Sequence, residues 1–295
     1  MTDLKVGITN VAFSDESHWN VGRYRSIGLI TLPIASEQLV ENTINDQLCK
    51  FGIKEFKWAR LQSSNERDGA IELLKKIVGY SNQGLLRADI LQWDISDPRH
   101  DIPSRDDTLN LGIMYYHILE NVLKKRWPDG GVWLLCPDEH SSLDWQTLND
   151  CVTAKGKGSF KIEKDPFSKN ILISLSGTYD VAKLKQVNSY CNKIVQLADL
   201  LAGMAVYSRE RYDVYHQWRE DNDEQMKLFE LGSKATISSS DKERCKVLYE
   251  FDRLCKHNKL GVSLKKHKGL RTINPENPIN FWWYEPQSDL DKAPT

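Results

Sequence analysis

The chain of 295 residues is 40% hydrophobic and 27% charged, the balance of a globular protein long enough to bury a substantial core. Its formal net charge of −1 excludes a global attraction to nucleic acid or anionic lipid, so a polyanionic partner has to be met by a local patch. No stretch approaches roughly 18 uninterrupted apolar residues and the opening MTDLKVGITN lacks a basic-then-apolar leader, so a cytoplasmic protein without a membrane partner is expected.

In chain order, the apolar runs Val6–Phe13 and Tyr24–Leu32, separated by the polar Ser17–Gly22, predict a β-hairpin. Ser36–Phe51 has helical spacing at Leu39, Val40, Ile44 and Leu48, with Ser36 as N-cap. KEFKWARL (54–61) reads as a short strand or a helix entry, and Arg67–Tyr80 is a helix on Ile71, Leu74, Ile77 and Val78. Leu85–Trp93 is a buried strand, followed by a polar loop bracketed by Pro98 and Pro103. Leu109–Trp127 is an amphipathic helix ended by Gly130 and Gly131, and Val132–Cys136 is a short strand running into Pro137, Asp138 and Glu139. Next come a helix near Leu143–Val152, a loop rich in Lys and Gly (AKGKGSFKIEK) and a β-run at Asn170–Leu175. Val187 to Leu231 is mostly helical, and Ser238–Asn258 is a helix capped by Ser240 or Asp241. Gly261–Tyr284 holds two short strands around NPENP. Without internal repeats or a low-complexity linker, this predicts an α/β core over 1–210 with a helical and short β extension over 211–295 packed on it.

Six cysteines are scattered with no C-x-x-C pair, which predicts reduced, mostly buried thiols and no zinc knuckle. Neither a phosphate-cradling G-x-x-x-x-G-K-[ST] nor G-x-G-x-x-G, H-E-x-x-H or G-x-S-x-G occurs, which removes the common nucleotide-loop, zincin and serine-hydrolase readings. The acidic run EDNDE (220–224) lacks the glycine of a calcium loop and reads as solvated.

The carboxylates sort by place in the pattern. Asp15 and Glu16 close the first apolar run in FSDES, and Asp138 and Glu139 follow VWLLC. Strand ends are where open α/β sheets present functional side chains, although Asp at such a place is also ordinary turn chemistry. In IVQLADLLAGMAV (194–206) only Gln196 and Asp199 are clearly polar, three apart on one helix face. An Asp in so apolar a helix must meet a cation, accept several hydrogen bonds or sit at an opening, because a bare buried carboxylate is too costly. The small Ala198, Ala202, Gly203 and Ala205 admit another backbone or a ligand. Glu55 alternates with Lys57 on one side of KEFKW, with Phe56 and Trp58 on the other.

FSDES, EFKW, an apolar strand ending at Asp138 and QLADLLAG together resemble the bacterial family called domain of unknown function 3800 (DUF3800), itself similar to the ribonuclease H-like superfamily. The resemblance spans about 6–210, with its best motif at 196–203; His18 stands where the family has Gly. It implies a ribonuclease H-like mixed sheet flanked by helices. It further implies Asp15 as a bridging metal ligand, with Glu55, Asp138 and Asp199 completing a catalytic cluster for two Mg²⁺ or Mn²⁺ ions. Hard divalent ions take such oxygen ligands, and a metal pair activates water for phosphodiester cleavage. Glu16, Lys57, Gln196 and Glu139 are second-rank candidates around these acids.

Lys155, Lys157, Lys161 and Lys164 flank one glycine-rich loop, and Lys265, Lys266, His267, Lys268 and Arg271 cluster near the end. Of these, Lys155, Lys157, Lys265, Lys266, Lys268 and Arg271 are the candidates for phosphate contact, while Trp19, Trp58, Trp282 and Trp283 offer stacking or core packing. The expectation is a metal-dependent nuclease acting on DNA or RNA. Alternatives are a non-catalytic nucleic-acid or protein-binding component of a larger, defence-type system, in which a protein partner or a second copy joins, and a phosphoesterase for small nucleotides.

Overall fold

A computed structural model describes residues 7–97, 106–156, 178–222, 236–264 and 267–285, and the backbone of 159–164 and 171–176. The expected hairpin forms as β1 (Asn10–Ser17) and β2 (Tyr24–Pro33), antiparallel, with Asp15 opposite Gly28 and Glu16 opposite Ile27. β1 thus runs on to Ser17 in place of Phe13. Its polar end keeps its ladder partners in β2, and a backbone ladder is indifferent to side-chain polarity. The acids lie within the strand, not in the turn after it. His18 follows at φ 59°, the left-handed region that favours glycine, so the turn keeps a glycine's conformation without one.

After a 3-10 turn at Ile34–Ser36, α1 (Glu37–Lys50) buries Val40, Ile44 and Leu48. Leu39 is 51% exposed, and Ser36 makes no side-chain cap bond. The segment 51–61 ends in a 3-10 turn at Trp58–Arg60, and α2 (Ser64–Asn82) starts on a capping box of Ser63 and Glu66. The buried strand β3 (Arg87–Asp94) follows; the Pro98–Pro103 loop lies outside the described residues. Asp106 caps α3 (Asp107–Lys125), which leads to β4 (Gly131–Pro137) and α4 (Trp145–Gly156).

The expected Lys- and Gly-rich loop is instead largely a strand, β5 (Ser159–Lys164), paired with β6 (Ile171–Ser176). Another strand, unforeseen, is β7 (Tyr179–Leu184), whose YDVAKL pattern alternates too briefly to stand out. Helix begins at α5 (Val195–Glu210) and resumes in α6 (Tyr212–Asn222). α7 (Ser239–His257) is capped by Ser238, whose side chain accepts from Asp241 N; the cap is two or three residues earlier than expected. The tail carries β8 (Val262–Ser263), β9 (Arg271–Thr272) and β10 (Ile279–Trp283).

Six strands form a mixed sheet in the order β10-β3-β2-β1-β4-β7. Only β2 runs against the others. The tail therefore returns through β10 to pair with β3, completing the core sheet as well as packing upon it. α1, α2, α5 and α7 cover one face over a core that includes Phe13, Ile90, Leu201 and Phe251. α3 and α4 cover the other over Ile27, Trp93, Tyr115 and Trp133. α5 lies very close to the sheet: a Cβ on Gly28 would stand 2.4 Å from the Ala198 carbonyl oxygen, and one on Gly203 the same distance from the Trp58 ring. The small residues of α5 serve this approach. Cys136, Cys245 and Cys255 are buried, but Cys49, Cys151 and Cys191 are exposed. Among the described residues no helix is long and apolar enough to cross a membrane.

Candidate functional site

From β1 the chain builds the sheet outward through β2 and β3, then returns to the other side of β1 with β4 and β7. That reversal makes the carboxyl ends of β1 and β4 a topological switch point, the place where open α/β sheets put their ligands. Asp15 stands on one side of it and Asp138, just after Pro137, on the other; Asp138 N donates to Ser14 O at 2.8 Å. Neighbouring residues of a strand face opposite ways, so Asp15 shares the α5 face with Phe13.

The segment 55–58 is laid along α5 by two side chains of that helix. Gln196 Oε1 accepts from Phe56 N at 2.8 Å, and Asp199 Oδ2 accepts from Trp58 N at 2.6 Å. Alternation then buries Phe56 and Trp58 and turns Glu55 and Lys57 the other way, toward the ends of β1 and β4. Lys57 Nζ lies 3.5 Å from Asp15 Oδ2 and 3.5 Å from Asp138 Oδ2. Ser189, which nothing in the sequence singled out, ties the remainder together. Its N donates to Asp138 Oδ1 and its Oγ to Glu55 Oε1, each at 3.0 Å, while its carbonyl accepts from Gln196 Nε2 at 2.6 Å. It sits in a turn before α5, and no local pattern marks such a residue.

Four expected acids therefore gather around one ammonium group. Burial, then Asp199 and Glu16, push the Asp15 carboxyl well above its ordinary range, against the pull of Lys57. Asp199 is pushed up to about 6, chiefly by burial, with Asp138 and Glu55 adding to it against Lys57 and the Trp58 amide. Burial lowers Lys57, but Asp15, Asp199, Asp138 and Glu55 outweigh it and hold its pKa above the usual value. Asp15 Oδ2 is buried and accepts no hydrogen bond. Glu55 also pairs with the exposed Arg60 at 3.3 Å.

The second-rank candidates divide. Lys57 and Gln196 belong to the site. Glu16 does not join it: it faces α3, where Tyr115 Oη donates to Glu16 Oε2 at 2.6 Å and His140 Nε2 lies 3.6 Å from Oε1. Glu139 is exposed and accepts from Asn188 Nδ2 at 3.0 Å, turned from the cluster because it alternates with Asp138. Lys155 ends α4 beside the start of β7, at the edge of the sheet opposite the acids. Lys268 and Arg271 are exposed at the acid-bearing edge; Lys157, Lys265 and Lys266 lie outside the described residues. Trp58 is core, and Trp19 packs edge-on against His140 at 4.7 Å.

Among the described residues no three His, Cys, Asp or Glu side chains are arranged as they stand to hold a metal ion; Lys57 occupies the centre instead. The donors nevertheless fit a hard cation: all are carboxylate oxygens, and one of them, on Asp15, is buried without a hydrogen bond.

No protein-family model matches the sequence. The protein called "Uncharacterized protein ORF2" of Methanothermobacter thermautotrophicus is 38% identical over 291 residues, covering 96% of each chain. A second from that organism, "Uncharacterized protein ORF2'", is 38% identical over 294 residues, again covering 96% of each.

Proposed function

From the premise that this chain belongs to the family of these ORF2 proteins, whose names state no activity, we propose on the strength of its carboxylate cluster that it is a metal-dependent nuclease with a ribonuclease H-like core. The observation that carries the reading is the meeting of Asp15 and Asp138, from adjacent parallel strands, on one cation, with Asp199 and Glu55 acting on the same point. The acids also fall where the resemblance leads one to look: on the first strand, on a neighbouring segment, after a later strand and on a late helix.

In this reading Asp15, Glu55, Asp138 and Asp199 hold Mg²⁺ or Mn²⁺. When bound, the metal lowers the pKa of a water and stabilises the charge that develops on a phosphodiester. The chain's own groups prepare the place. The Trp58 amide holds one Asp199 oxygen, and Ser189 orients Glu55 and Asp138, so each carboxylate keeps its aim without a ligand. Crowded, partly desolvated carboxylates favour protonation, and the raised Asp15 and Asp199 are relieved when a divalent cation enters. Lys57, 21% exposed along its side chain, holds a positive charge among the acids that offsets the negative charge of a phosphate.

A second reading follows from Lys57 itself. Its ammonium already neutralises part of the cluster, as a non-catalytic nucleic-acid or protein-binding component that keeps the fold would require. One comparison separates the two: pure protein incubated with mixed DNA and RNA, with Mn²⁺ or EDTA, beside Asp15→Ala. The nuclease reading expects cleavage by the wild type with Mn²⁺ alone. Intact nucleic acid in every arm, with no heat of Mn²⁺ binding at millimolar concentration, would leave the binding component.

A further inference from the structure

A second feature lies on the same face and edge of the sheet as Asp15, at the far end of α5. Arg209 places its guanidinium 3.7 Å from the centroid of the Trp283 ring and 4.6 Å from that of Tyr24. Its Nη1 donates to Lys268 O at 3.3 Å, while its Nε is buried and has no hydrogen-bond partner. The loop carrying Lys268 and Arg271 is seated firmly on α5. Leu270 N donates to Ser208 Oγ at 2.9 Å, and Leu270 O accepts from Gln92 Nε2 at 3.1 Å. Gly269, at φ 70°, passes so close that a Cβ there would stand 2.7 Å from Ser208 Oγ. Arg209, Lys268, Leu270 and Arg271 line a cavity of about 170 Å³ that Gln92 and Trp283 help to wall.

Three cations, Arg209, Lys268 and Arg271, meet there with one acid, Glu285. Asp94 is near enough to feel Arg209, but Arg23 holds both its oxygens at 2.8–3.0 Å. Among the described residues no carboxylate forms an ion pair with any of the three. Like charges brought into one walled cavity repel unless an anion joins them. An arginine held over aromatic faces keeps N–H groups free to meet a phosphate's oxygens.

The spacing suits a polyanion that also reaches the acids. Arg209 is ten residues beyond Asp199 on one helix, about 15 Å at 1.5 Å per residue. β10 is three strands from β1, about 14 Å at the usual strand separation. That distance is about four nucleotides of helical rise.

We propose that this cavity is a phosphate-gripping subsite for a nucleic-acid strand, in which Arg209, Lys268 and Arg271 hold the backbone a few nucleotides from the phosphodiester at the acids. The subsite rests on the nuclease reading for its purpose, but its binding is measurable without metal. The test is fluorescence anisotropy of labelled single-stranded DNA and RNA in EDTA. It compares full-length wild type with Lys268→Ala/Arg271→Ala and with Lys75→Ala, an exposed lysine on α2. The paired variant is expected to bind both polymers at least tenfold more weakly, with a salt slope shallower by about 1.4 for two lost phosphate contacts, and Lys75→Ala to match the wild type. Binding by the paired variant equal to wild type overturns the subsite. If the wild type still cuts with Mn²⁺ in that case, the nuclease reading survives alone. If the wild type binds but never cuts and the paired variant loses binding, the subsite stands and the nuclease reading falls. If the wild type neither binds nor cuts either polymer, both fall.

Discussion

Asp15 and Glu16 are adjacent in β1, yet the two faces of the sheet treat their carboxylates in opposite ways. On the α5 side Asp15 stands beside Lys57, which three more acids also face. On the α3 side Glu16 lies in a closed polar knot, bonded by Tyr115 and near His140, whose own pKa burial lowers. Burial, opposed by the Tyr115 bond, pushes Glu16 up to about 7. One face thus gathers charge around a lysine; the other satisfies a carboxyl group through a single tyrosine, at nearly the same side-chain exposure, 8% for Asp15 and 9% for Glu16. The lesson is that proximity in sequence says little about shared work when strand alternation sends neighbours to different layers.

The largest expected contrast is in activity. Asp199→Asn keeps an oxygen for the Trp58 amide but removes a charge from the cluster. Cleavage should fall by more than about 100-fold, with the thermal transition near the wild-type value. Undiminished cleavage by this variant would take Asp199 out of the mechanism and weaken the contrast between the faces. A second test moves packing instead of charge. Gly28→Ala drives a methyl group into the Ala198 carbonyl, 2.4 Å away, and should cost about 1–3 kcal/mol, with cleavage reduced because α5 carries Asp199. Its neighbour Ile27, on the α3 face, should lose about 0.5–1.5 kcal/mol as Ile27→Val and leave cleavage unchanged. Melting curves and initial rates of the two variants decide whether the faces are mechanically separate.

The smallest effect concerns pH. Glu16 has a folded pKa of about 7 against an ordinary 4.5, so folding favours its protonated form. That contribution is whole below pH 4.5 and is lost as pH rises through about 7. In EDTA the melting temperature of the wild type should therefore fall across that interval. In Glu16→Gln, which keeps an acceptor for Tyr115, the fall should be smaller by a few degrees at most. Equal slopes in wild type and variant would mean that the α3 face does not hold its carboxyl neutral.

Much of this arrangement was legible before folding was considered. The hairpin, α2, α3 and the buried strand β3 follow from apolar spacing, and Asp199 stood out because a carboxylate in so apolar a helix needs a reason to be there. Glu55 and Asp138 were readable only as members of a set, since each alone is ordinary surface or turn chemistry. Ser189 and Arg209 gave no signal, one in a turn and the other at a helix end where a basic residue is common. β7 was hidden because its alternation is brief, while β10 was legible as a strand and only its pairing with β3, nearly two hundred residues earlier, was not.

Periodicity and the cost of burying charge act within a few residues, so the segments that bear the clustered acids are marked in the sequence. That Asp15 and Glu16 part company, that Lys57 stands among the acids, and that Lys268 and Arg271 meet Arg209 while Lys155 is left at the opposite edge are matters of tertiary structure. Those outcomes depend on strand order, on which face each residue takes in the pairing, and on the close approach of α5, which are set by contacts between distant parts of the chain.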